Sequence, residues 1–279
     1  MTFKTVLIPV ERHDQIGSVF ECAAAFSGRW DSYLEAVPVR SLITDIYIAG
    51  AFGGVPVPQL PAAGANPQEL RKLADTQAQR LSLPAGGMTG EGRRFSWRDI
   101  EPLDDIALAA RARSFDLTVF GRAQRDGAGP RMGALETTLF ESGRPILIAP
   151  PKPVSTVGER IFVAWNGSTE TARTITFAMA LLERSKEVLV MGIEGAGVPG
   201  PTAAEIAANL IANGVAATAR TAAAGNRSTG EAFLAEAKSW GADLMIKGAY
   251  TQSRLRQMIF GGATNHILLA AELPVFMAH

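Results

Sequence analysis

The chain closes on Gly241-Ala242-Asp243-Leu244-Met245-Ile246-Lys247-Gly248, the polar run Tyr250-Thr251-Gln252-Ser253-Arg254-Leu255-Arg256, then Gly261-Gly262-Ala263-Thr264 and finally Pro274-Val275-Phe276-Met277. This reads as strand, loop, helix, strand. Asp243 to Ile246 and Pro274 to Met277 are short apolar runs of the kind that form strands buried on both faces. Gly248 ends the first, and the glycine pair opens a helix. A glycine-rich turn from a strand end into a helix start gathers free backbone N–H groups and a partial positive charge at one point. Physically that is an anion site, most often for phosphate.

Working outward, the same frame recurs earlier in the chain. Lys4–Val10 repeats as Glu159–Trp165, 155 residues on; Asp116–Gly121 as Asp243–Gly248, 127 on; and Arg144–Leu147 as Leu273–Phe276, 129 on. A repeat this long is a duplicated domain and not a solenoid unit. The first half is longer between its first and fourth strands. The Gly/Pro-rich stretch near residues 49–67 accounts for the excess as a lid or a tolerated surface insertion. Pro150-Pro151-Lys152-Pro153 interrupts the pattern. The expected division is residues 1–150, a stiff linker at 151–158, and residues 159–279.

Between these markers strands alternate with helices. Strands are expected over Thr5–Val10, Tyr33–Val39, Arg93–Trp97, Arg160–Trp165 and Glu187–Ile193. Helices are expected over Ile16–Trp30, Glu69–Leu81, Asp99–Ser114, Arg131–Ser142, Thr202–Ala212 and, from the capping-box spacing of Ser228 and Glu231, on to Trp240. Such alternation implies an α/β fold with mostly parallel sheets and helices on both faces. Ligands of such sheets sit beyond the carboxyl ends of the strands, where strand order reverses. In the second half those ends carry Asn166-Gly167-Ser168 and Gly248. Asn166 offers an amide to a ribose or base, the glycines offer backbone approach to phosphates, and Thr264 adds a hydroxyl. The alternative is structural: Asn166-Gly167 as a turn and helix cap, and the glycines as points of close packing.

Composition narrows the classes. Of 279 residues 47% are hydrophobic, enough for two cores, and Lys+Arg and Asp+Glu both total 27. That balance lacks the basic excess of a nucleic-acid binder. No run of about 18 apolar residues occurs, so no membrane span is expected, and the cytoplasm is the default compartment. The single cysteine, Cys22, forms no intramolecular disulfide or multi-cysteine metal cluster, and His13, His266 and His279 lack metal-ligand spacing. No P-loop or nucleophile elbow occurs. Gly195-Ala196-Gly197-Val198-Pro199-Gly200 fits GxGxxG, but it follows the second strand of its half and contains a proline. Asp104 and Asp105 read as helix-start charges and not as a catalytic pair.

Along nearly its whole length, and most strongly in Arg160–Ser168 and Ala242–His279, the chain resembles a tandem universal stress protein. The resemblance implies two flavodoxin-like domains, each with a five-stranded parallel sheet, related by a pseudo-two-fold. The chain would be a covalent counterpart of the dimers formed by single-domain relatives, with further homodimerisation open. The family's ATP-binding branch carries Gly, two residues, Gly, nine residues, Gly, then Ser or Thr, with an Asp after the first strand. Here Gly248 and Gly261 match, Thr251 stands at the second Gly, Gly262 replaces the Ser/Thr, and Asn166 replaces the Asp. Each departure is worth on the order of 1 kcal/mol of lost affinity by ordinary hydrogen-bond values. The first half departs further, with Gln124 at the second Gly and Glu11-Arg12-His13-Asp14 after its first strand. The resemblance therefore implies a non-enzymatic stress-response protein with a weakened site for ATP or another adenine nucleotide in its second half, and magnesium only with that nucleotide. The alternative is a scaffold that binds no nucleotide and acts through protein partners. An enzyme such as a slow ATPase is the third class, without a positioned base to support it.

Overall fold

The computed structural model describes residues 2–40, 66–123, 130–249 and 262–279. The first half runs β1 (Thr5–Val10), α1 (Ile16–Ser27), β2 (Tyr33–Pro38), α2 (Pro67–Arg80), β3 (Arg94–Trp97), α3 (Asp105–Ala112), β4 (Leu117–Gly121), α4 (Met132–Glu141) and β5 (Ile146–Ala149). The second runs β6 (Arg160–Trp165), α5 (Thr169–Glu183), β7 (Glu187–Ile193), α6 (Ala203–Ala212), β8 (Ala217–Ala222), α7 (Thr229–Trp240), β9 (Leu244–Gly248), α8 (Ala263–Ala270) and β10 (Val275–Ala278). This is the expected alternating α/β fold. Of the Gly/Pro-rich stretch, 49–65 lies outside the described residues; Asn66 and Pro67 begin α2, with the Asn66 side chain accepting from the Gln68 amide at 3.0 Å.

The helix expected over Asp99–Ser114 is shorter, Asp105–Ala112. Pro102 disfavours helical geometry in the residue before it, and Asp104 supplies the actual cap, its carboxylate accepting from the Ala107 amide at 2.8 Å. Helix α1 likewise ends at Ser27 and not at the expected Trp30. Thr202 and Ser228 each form a complete capping box, and Gly241 ends α7 at φ 77°, the left-handed conformation that glycine adopts without strain.

Each half orders its strands 3-2-1-4-5, all parallel. Among the described residues the two sets are one sheet of ten strands, β3-β2-β1-β4-β5-β10-β9-β6-β7-β8. They join through β5 and β10, which run antiparallel in the register Val275↔Ile148, Phe276↔Leu147, Met277↔Ile146. Such a junction places a two-fold axis normal to the sheet, so each face keeps one character across both halves. One face packs under α1, α2, α5 and α6, with Phe20, Phe26, Leu70, Leu181 and Leu210 buried there. The other packs under α3, α4, α7 and α8, with Leu108, Leu139, Phe233 and Ile267. Cys22 lies wholly within the first of these cores, and burial pushes its thiol up to about 12.

Residues related by the repeat meet across the axis. Arg29 Nη2 donates to the Arg184 carbonyl at 2.8 Å and Arg184 Nη1 returns a bond to the Arg29 carbonyl at 3.0 Å. The pair is 155 residues apart and exchanges identical contacts, as a two-fold requires. The Arg184 guanidinium also lies 4.2 Å from the Trp30 ring, and Phe3 stacks edge-on against Phe276 at 5.8 Å. Within each half one aspartate ties the start of the fourth strand to the start of the first. Asp116 accepts from the amides of Lys4 (2.8 Å) and Thr5 (3.0 Å), and Asp243 from those of Gly158 (3.1 Å), Glu159 (2.9 Å) and Arg160 (2.9 Å).

Candidate functional site

The pairing of β6 with β9 brings the two candidate strand ends side by side in the second half. At the end of β6, Asn166 Oδ1 accepts from Thr171 Oγ1 at 2.6 Å and from the Ser168 amide at 3.3 Å. Ser168 Oγ in turn caps α5 at the Thr171 amide, 3.2 Å. Gly167 sits at φ 78°, and a Cβ there would lie 2.4 Å from the Val198 carbonyl oxygen. The Gly195–Gly200 loop lies across this turn. The Val198 amide donates to the Asn166 carbonyl at 2.9 Å, and a Cβ on Gly200 would stand 2.7 Å from the Gly167 oxygen. The GxGxxG spacing thus serves backbone-on-backbone packing. Gly248 has a similar role, since a Cβ there would lie 2.3 Å from the Thr171 nitrogen and 2.5 Å from the Glu170 carbonyl carbon. Its missing side chain lets β9 press against the first turn of α5.

The third component is the start of α8. Gly262 is its N-cap and supplies no side-chain hydrogen bond, so the amides of the first turn carry no side-chain cap. Thr264, in that turn, is buried, and its Oγ1 accepts from Lys247 Nζ at 3.0 Å. Lys247 Nζ also donates to the Gly248 carbonyl at 2.8 Å. Lys247 is only 4% exposed, and burial lowers its pKa to about 8 against the opposing field of Glu170. Sequence reasoning passed over this lysine. The available signal was a lone charge inside an apolar strand, at the strand end where ligands of this sheet type sit. Of the other candidates, Thr251 and Gly261 lie outside the described residues, as do Arg254 and Arg256. Asn166, Gly167 and Gly248 form one packed cluster, and Thr264 joins it through Lys247. His266 is a half-buried residue of α8, and the His279 ring packs at 4.5 Å from that of Phe140.

The corresponding place in the first half is built differently. Glu11, after β1, accepts from the Arg131 backbone amide at 3.1 Å and from Arg131 Nε at 3.0 Å, at the N-cap of α4. Arg131 Nη1 also pairs with Asp105 at 2.9 Å. Burial raises the Asp105 pKa, with Arg131 opposing, and burial lowers that of His13, whose Nδ1 accepts from the Gln15 amide at 3.1 Å. An internal carboxylate therefore occupies the helix start. Gln124 lies outside the described residues. Among the described residues no group of three or more His, Cys, Asp or Glu side chains is placed to hold a metal ion, and no helix is long and apolar enough to cross a membrane.

The geometry suits a phosphate-like group better than a ribose. The uncapped start of α8 and the nearby ammonium both favour an anion. The Asn166 side-chain carbonyl is already engaged, and the space beside Gly248 is filled by α5.

The model of the universal stress protein family matches residues 158–279. No curated protein matches the chain. Among solved structures, a universal stress protein from Archaeoglobus fulgidus DSM 4304 superimposes with a TM-score of 0.70 at 16% identity, covering 99% of this chain and 97% of its own. A putative universal stress protein from Pseudomonas aeruginosa UCBPP-PA14 gives 0.54 at 14% identity, covering 99% and 93%. A protein described as functionally unknown from Pseudomonas aeruginosa PAO1 gives 0.53 at 12%, covering 99% and 92%. These likenesses extend over both halves and concern the fold. Residues 158–279 are thus similar to a universal stress protein domain, and the residues before them repeat its fold.

Proposed function

We propose that the chain is a cytoplasmic, non-enzymatic stress-response protein whose second domain keeps a weakened site for ATP or another adenine nucleotide. In this reading residues 1–150 and 159–279 are the two domains, 151–158 is the linker, and the chain is a pseudo-dimer within itself, open to further homodimerisation and to protein partners. Asn166, Gly167, Gly248, Gly262 and Thr264 border the site, and Thr251 and Gly261 complete the motif spacing. Magnesium enters only with the nucleotide. The observation that supports the reading most is the convergence of the β6 and β9 ends on the uncapped start of α8, at the point where strand order reverses. The internal engagement of Asn166 and the close packing at Gly248 favour the second reading, a scaffold whose ancestral pocket has closed.

The test begins with freshly purified protein. It is denatured and any released small molecule is identified by mass spectrometry, while a parallel sample is titrated with ATP by calorimetry. Released or titratable adenine nucleotide supports the site, and restoring Thr251→Gly with Gly262→Ser then raises affinity. No release and no heat up to millimolar ATP removes the nucleotide reading and leaves the scaffold.

A further inference from the structure

Lys247 is a cation the fold does not need. Its counterpart in the first half is Phe120, and the counterpart of Thr264 is Leu135. Both counterparts are buried in the apolar core of the same sheet face. The same backbone position therefore accepts two apolar side chains, where the second half has a hydrogen-bonded polar pair. That replacement is unfavourable on its own terms, because a buried ammonium without a counter-ion loses hydration that neutral acceptors restore only in part. Two N–H groups of Lys247 go to neutral oxygens, those of Thr264 and Gly248. Among the described residues the third has no acceptor and the ammonium makes no ion pair. The charged group acting on it is Glu170 at the start of α5, felt through its field without a direct salt bridge. Beside it stands the α8 start, whose amides also lack a side-chain cap.

We propose that Lys247 is the anion-recognising residue of the second domain: a phosphoryl oxygen arriving at the start of α8 pairs with its ammonium, the hydrogen bond to Thr264 holding that ammonium in place. This rests on the reading of the second domain as a nucleotide-type site and names the group that reads the phosphate. A bound anion favours the charged lysine. Because burial holds the ligand-free ammonium near its titration range at about pH 8, binding there takes up part of a proton and weakens as the pH rises further.

The test uses the whole chain, wild type beside Lys247→Met and Lys247→Gln, titrated at pH 8 with ATP and with inorganic pyrophosphate. Calorimetry is run in two buffers of different ionisation heat. The expected result is wild-type binding with proton uptake, and in both variants a loss of about tenfold or more together with the disappearance of that uptake. Thermal stability in the Lys247→Met variant should hold or rise, which a merely structural lysine would not allow. Equal binding by wild type and variants overturns the inference and leaves the nucleotide reading standing. Pyrophosphate binding that depends on Lys247, without ATP binding, supports the inference and removes the adenine. Binding of neither anion by wild type overturns both.

Discussion

Replacing Lys247 by methionine should stabilise the ligand-free protein at neutral pH, and the size follows from the burial. The ordinary lysine pKa is about 10.4; in the fold it is lowered to about 8. At about 1.4 kcal/mol for each tenfold change in proton affinity, the folded state disfavours the charged form by about 3 kcal/mol. Methionine fills a similar volume without charge and leaves Thr264 and Gly248 each short of one bond, a cost of about 1 kcal/mol apiece. The net gain is about 1 kcal/mol at pH 7. Below pH 8 the lysine is protonated in both folded and unfolded chains, so the whole penalty is present. Between about pH 8 and the unfolded value of about 10.4 the folded lysine is neutral while the unfolded one still holds its proton. Wild type therefore gains on the variant as pH rises through that window. Urea unfolding followed by circular dichroism at pH 7 and pH 9.5 reads both effects. A variant less stable than wild type by more than about 1 kcal/mol at pH 7, or a difference that does not change with pH, refutes the reasoning.

Three further outcomes follow from the packing. Gly248→Ala sets a Cβ 2.3 Å from the backbone nitrogen of Thr171 and should cost about 3 kcal/mol or more; an unchanged urea midpoint would mean that β9 and α5 are not in this contact. Asp243→Ala leaves three amides at the start of β6 without their acceptor, so about 2–4 kcal/mol should be lost, with faster hydrogen exchange at Glu159 and Arg160; retained protection there would contradict it. Cys22, wholly buried with its thiol raised to about 12, should resist thiol reagents in the native state and react only on unfolding, and native-state labelling within minutes would place it elsewhere.

Much of this architecture was legible in the sequence because its signals are local. Thr5–Val10, Arg160–Trp165 and Glu187–Ile193 are apolar runs bounded by turn residues, and they are strands over those same residues. The start of α3 is not legible in the sequence because Asp99, Glu101, Asp104 and Asp105 all resemble first-turn acids. Only the restriction imposed by Pro102 and the Asp104 cap separate them. The joining of the two sheets was not legible, because β5 and β10 read like any buried strand and their pairing is set by residues 127 to 131 apart. A physical hint was present: although Pro145 and Pro274 stand at their starts, neither strand carries the lysine with which exposed sheet edges are protected. Lys247 was passed over because a charge near a strand end ordinarily reaches solvent. Only the placement of α8 over it shows that it does not.

The two halves therefore share a backbone and differ in sign where an anion would arrive. In the first, a carboxylate, Glu11, is bound at the start of α4 by the Arg131 amide and guanidinium, with Asp105 adding a second negative charge. In the second, the residue after the first strand is the neutral Asn166, the helix start has no side-chain cap, and the buried charge is an ammonium. Residues 1–150 carry 16 Lys+Arg against 17 Asp+Glu, and residues 151–279 carry 11 against 10; the halves differ by only two charges, so long-range attraction alone does not choose strongly between them. Local electrostatics does. On the proposed reading an incoming phosphate meets an internal competitor at α4, which it must displace from a bidentate partner, and at α8 a desolvated cation that makes no ion pair among the described residues. The two equivalent positions thus differ at Glu11 and Lys247: the first is filled from within, and the second is, on that reading, the one a ligand fills.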